Sequence, residues 1–116
     1  MLPAGVKVWV AAEPVNMRQS FDGLSARAQS IAAQDVFSGH LFVFCNRRAD
    51  KLKVLYWDRT GLALWYKRLE RGAFRLPRVQ QAKAFSLSVA ELGLLLEGID
   101  LTDRNRFASL YATALN

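Results

Sequence analysis

A lone cysteine and a lone histidine in 116 residues leave little from which to build a metal centre or a redox site. Cys45 has no second thiol in the chain to pair with, which excludes an internal disulfide and suits a reducing compartment. It closes an apolar run and reads as a buried, inert thiol. His40, at the start of that run, reads as a structural or solvated residue, since no further histidine is available for a metal cluster or a His-based triad. Neither a G-x-x-x-x-G-K-[ST] phosphate loop nor a G-x-G-x-x-G turn occurs. No cofactor and no metal are expected. No apolar stretch approaches the roughly 20 residues that span a bilayer. Lys7 interrupts the first apolar run and Glu13 follows it, which argues against a signal peptide. The expectation is a bacterial-type cytoplasmic protein with no membrane partner.

What is present is ordinary globular material, 52% hydrophobic and 22% charged. It is enough for one domain over residues 1–116 and too short for two comfortable ones. The charge is unevenly placed. The net +6 arises within residues 47–78, where ten Lys or Arg face Asp50, Asp58 and Glu70; the remainder carries six basic and seven acidic residues. Such a concentration favours a polyanionic partner, nucleic acid first. The alternative is that these cations merely guard strand edges against aggregation.

The pattern predicts an α+β fold with an antiparallel sheet of four or five strands. "VKVWVA" (6–11) suits a first strand. A helix is expected over about 20–34, with Ser20 as N-cap, Asp22 in the first turn, and Phe21, Leu24, Ala28 and Ile31 on one face. Gly23 in its first turn suggests close packing there. A central meander follows over 41–69, with strands at 41–45, 52–57 and 62–69 joined by "NRRAD" and "DRTG", where Gly61 suits a positive φ. Trp57 should oppose Leu62, Leu55 Leu64, and Lys53 Tyr66. One face then carries Phe42, Phe44, Leu55, Trp57, Leu62, Leu64 and Tyr66, with Lys53 and Arg68. The other carries Leu41, Val43, Cys45, Val54, Tyr56 and Trp65, with Lys67. Both faces are apolar, so both need cover. Helix 20–34 should close one through Phe21, Leu24 and Ile31. The C-terminal segment or a second copy of the chain should partly close the other, making a homo-oligomer one expectation. Residues 72–77 and 83–87 are candidate further strands. Ser88 and Glu91 form a capping box for a helix over about 89–97, ended by Gly98. The tail 102–116 has the spacing of a short helix.

Catalytic readings are thin. Asp50 or Asp58 with Lys53 could assemble a magnesium-dependent nuclease, and Arg18 before Ser20 loosely resembles the arginine and nucleophilic serine of serine recombinases. Asp at turns and Ser at a helix start have ordinary structural roles.

Three stretches, "MRQSFDGL" (17–24), the long block "FSGHLFVFCNRRADKLKVLYWDRTGLALWYKRLERGAFRLP" (37–77) and "LLLEGIDL" (94–101), resemble the TnpB accessory proteins of the IS-sixty-six group of bacterial insertion sequences, which are distinct from the RNA-guided nuclease of the same name. The likeness covers most of 5–101. Asn16 and Gln19 stand where an acidic and a basic residue are expected, and Ala49 where glycine is common. The resemblance implies a non-catalytic accessory protein encoded beside a separate DDE-type transposase and required for transposition.

Two roles then stand side by side. In a DNA-binding accessory module, Arg47, Arg48, Lys51, Lys67, Arg68, Arg71 and Arg75 contact phosphates of transposon ends or target, while Trp65 or Tyr66 stacks on a distorted or single strand. In an assembly factor, an apolar sheet face docks the cognate transposase and the basic segment assists.

Overall fold

β1 (Val8–Ala11) is followed by α1 (Phe21–Ala32), a short 3-10 turn (Val36–Ser38) and β2 (Leu41–Cys45). β3 (Lys51–Trp57) and β4 (Leu62–Arg68) complete the meander, followed by β5 (Ala84–Leu87) and α2 (Val89–Leu96). The computed structural model describes residues 5–32, 36–77 and 82–98; the tail 102–116, expected as a helix, lies outside them. No helix among the described residues is long and apolar enough to cross a membrane.

The five strands form one sheet in the order β4-β3-β2-β1-β5. The meander has the expected register, with Trp57 opposite Leu62, Leu55 opposite Leu64 and Lys53 opposite Tyr66. The sheet is not wholly antiparallel. β1 runs parallel to β2, with Val8 beside Leu41 and Val10 beside Val43, because α1 lies between them in sequence and supplies the crossover that a parallel pair requires. β5 then pairs antiparallel on the other side of β1.

Residues 72–77 are not the expected strand. Gly72 has φ 75°, Pro77 has no amide hydrogen, and the segment is held by one bond from the Phe74 amide to the Ala49 carbonyl (2.7 Å). It works instead as a lid carrying Phe74 into the core. In the "DRTG" turn the left-handed residue is Arg59 (φ 85°) rather than Gly61. The Asp58 carboxylate accepts from the Thr60 and Gly61 amides (3.3 and 3.1 Å), which closes the turn without glycine's freedom.

The sheet separates two cores. On one face α1 lays Leu24 and Ala28 over Phe42, Phe44 and Leu55, all buried, with Ile31 packed at the margin. Phe21, expected as an anchor, is 43% exposed; the helix is held instead through Leu24, Ala28 and Ile31. Gly23 is not tightly enclosed, since an added Cβ would meet Gln19 at an ordinary 3.5 Å. On the opposite face α2 contributes Leu92 and Leu95, and Phe74 joins them over Val43, Cys45, Leu52 and Val54. The Ser88–Glu91 capping box is present in full: the Glu91 amide donates to Ser88 Oγ (3.0 Å) and the Ser88 amide to Glu91 Oε1 (2.9 Å). Every residue of β2 is buried, so both faces of the central strands are closed by the chain itself. A second copy is not needed to cover them. What stays open is the β4 edge, where Trp65 and Tyr66 are 41% and 49% exposed.

Candidate functional site

Topology gathers the cations. β1 and β2 are parallel, β3 returns with Leu52 beside Cys45, and β4 ends with Arg68 beside Lys51. The C-terminal ends of β1, β2 and β4 and the start of β3 therefore meet at one end of the sheet. The loop carrying Arg47 and Arg48 sits there. The segment carrying Arg71 and Arg75 is tied against it by bonds from the Leu69 amide to the Asp50 carbonyl (2.8 Å) and from the Phe74 amide to the Ala49 carbonyl.

The 46–50 loop is rigidly built. Asn46 Oδ1 accepts from the Lys51 amide (3.0 Å), and Asn46 Nδ2 donates to Asp50 Oδ1 (2.7 Å). That amide hydrogen bond holds the Asp50 carboxyl below its ordinary value of 3.8, and the Lys51 and Arg48 charges act in the same direction. Ala49 takes a left-handed φ of 57°, a conformation that costs a residue with a Cβ.

Beside this loop runs a second one. The Val15 amide donates to the Cys45 carbonyl (2.9 Å), bringing Arg18 to the same end. Between the two loops and β4 lies an open groove of about 710 Å³. Arg18, Arg47, Arg48, Lys51 and Tyr66 line it, with Asp50 as its carboxylate. Four cations against one carboxylate give it a positive lining. Lys53 forms its support from beneath: it is buried, its Nζ donates to the Met17 and Gln19 carbonyls (2.7 and 2.8 Å), and it lies 4.8 Å from the Tyr66 ring centroid.

The predicted residues do not all share one surface. Arg47, Arg48 and Lys51 line the groove, and Arg75 lines a neighbouring hollow that it shares with Arg47. Arg68 and Arg71 are exposed on the chain leaving β4; Arg68 pairs with Glu70 at 3.2 Å, both side chains mostly in solvent. Lys67 is directed away: its Nζ donates to the Leu96 carbonyl (2.9 Å) at the C-terminal end of α2, where a cation complements exposed helix carbonyls. Trp65 and Tyr66, adjacent on a strand, face opposite sides, and only Tyr66 lies in the groove.

Arg18, singled out in the sequence only beside Ser20, was not counted with the basic segment because it joins it only through the contact of loop 14–18 with β2. Asp50 and Asp58 sit at opposite ends of β3, about 25 Å apart for a strand of that length, and Lys53 is committed to carbonyls. Together they do not make a nuclease centre. Among the described residues, no three of His, Cys, Asp and Glu come together in a group suited to a metal. Cys45 is buried, and burial pushes its thiol up to about 12. His40 accepts from the Lys7 amide at Nδ1 (3.0 Å), so it fastens the start of β2 to the start of β1.

The family model described as IS66 Orf2 like protein matches residues 6–106. Two proteins of Sinorhizobium fredii resemble the chain over most of their length. The uncharacterized protein y4jC is 39% identical over 98 residues, 84% of this chain and 83% of the relative. The uncharacterized protein y4hO is 41% identical over 102 residues, 86% of this chain and 88% of the relative. No solved structure matches.

Proposed function

Because the chain belongs to the family of IS66 Orf2-like proteins, a transposition-associated accessory family, we propose that it is a non-catalytic accessory protein that binds DNA through the basic end of its sheet. The observation that carries this reading is the convergence of Arg18, Arg47, Arg48, Lys51, Arg68, Arg71 and Arg75 from three chain segments onto that end. Seven guanidinium or ammonium groups held by a rigid sheet and a stapled loop suit the phosphate backbone, whose contacts supply most of non-specific affinity. The DNA is transposon end or target. The purified protein, mixed with naked duplex DNA and no transposase, should retard it in a gel. Failure to bind any DNA at low salt would remove this reading.

Docking of the DDE-type transposase through an apolar sheet face has less to rest on, because α1 on one side and α2 with Phe74 on the other already occupy both faces of the central strands. The transposase remains a partner in this reading through shared DNA.

A further inference from the structure

We propose that the groove between loops 14–18 and 46–51 is a site for an unpaired nucleotide, so that the protein prefers single-stranded or frayed DNA over intact duplex. This rests on the DNA-binding reading and gives that surface its substrate class. The argument starts from Tyr66. Its ring is half exposed and stands at the groove wall among Arg18, Arg47, Arg48 and Lys51. A phosphate-only surface has no use for an aromatic ring among its cations. A ring flanked by cations suits a base and its phosphates together, since the ring offers a stacking face and the cations take the backbone. Bases within a duplex are already stacked on their neighbours and are not available to such a ring.

Two further observations favour this class of ligand. The groove, at about 710 Å³ and open to solvent, has room for a nucleotide whose chain continues on either side. Lys53 lies over the ring and is itself held by the Met17 and Gln19 carbonyls, so the ring is positioned before any ligand arrives and less freedom is lost on stacking. Trp65 has no comparable setting: Lys67, two residues on and facing the same side of the sheet, is spent on the Leu96 carbonyl.

Fluorescence anisotropy with a labelled homopyrimidine strand and with a duplex of the same length tests the proposal. The wild-type protein should bind the single strand more tightly. Tyr66→Ala should weaken single-strand binding by about 5- to 150-fold, the range for loss of one base stack, and weaken duplex binding far less; Tyr66→Phe should restore the preference. Independently of any variant, ultraviolet crosslinking of the wild-type protein to an iododeoxyuridine-substituted strand should yield an adduct at Tyr66. Equal affinity for both forms, a preference unmoved in a folded Tyr66→Ala variant, or crosslinking at Trp65 in place of Tyr66 would overturn the proposal while leaving the duplex-binding reading intact. Absence of binding to either form would remove both.

Discussion

The Lys53 ammonium lies 4.8 Å from the centroid of the Tyr66 ring directly across the β3–β4 ladder, and the same nitrogen holds two carbonyls of the loop that leads into α1. One side chain therefore links the sheet edge, the approach to α1 and the groove. Its partners are two carbonyls and a ring face, an arrangement that satisfies a buried ammonium without a carboxylate.

Lys53→Ala should destabilise the protein by about 2–4 kcal/mol, because two carbonyls lose a charged donor and the packed stem is removed. Urea unfolding followed by circular dichroism measures it. A loss below about 0.5 kcal/mol would show that the loop is held by other contacts.

Ala49→Gly should stabilise. A left-handed alanine costs about 1–2 kcal/mol, of which glycine's greater freedom in the unfolded chain takes back about 0.5–1 kcal/mol. The net gain, between about 0 and 1.5 kcal/mol from these ranges, would appear as a higher urea midpoint at unchanged slope.

Cys45 should resist thiol reagents in the folded state and react freely once urea unfolds the chain, as followed by absorbance of the released chromophore. Burial raises its folded value from 9.0 to about 12. A raised value means that the stability tied to the neutral thiol is complete below pH 9 and is lost as pH climbs from 9 towards 12. Denaturation midpoints should therefore fall across that alkaline interval in the wild type more than in Cys45→Ala.

The meander was legible because the four-residue turn, pairing Trp57 with Leu62, sets the register that the apolar pattern, alike on both faces, leaves open. The parallel β1–β2 pair was less so: Val8 and Leu41 are far apart in sequence, and strand propensity carries no partner information. Phe21 has the helical spacing of a core residue yet is exposed, because spacing gives a residue's face on the helix and not what lies opposite it. For the site, a charge count along the chain found the basic segment but took in Lys67, which strand alternation had already assigned to the opposite face. It also left out Arg18, whose place is set by the Val15–Cys45 backbone bond. The arrangement of cations on a surface is a property of register and loop docking, and a linear window sees neither.

The most direct measurement is the salt dependence of binding to duplex DNA. Engagement of about five phosphates should give a log–log slope of affinity against salt near −4. Arg47→Ala combined with Arg48→Ala should flatten that slope by about two units and weaken binding to all sequences alike, with the fold unchanged because exposed charges contribute little stability. Lys67→Ala should leave the slope where it was, since its ammonium is bonded to the Leu96 carbonyl on the other side of the sheet. Binding that ignores salt, or a slope that responds to Lys67 and not to Arg47 and Arg48, would contradict the basic end of the sheet as the DNA-binding surface.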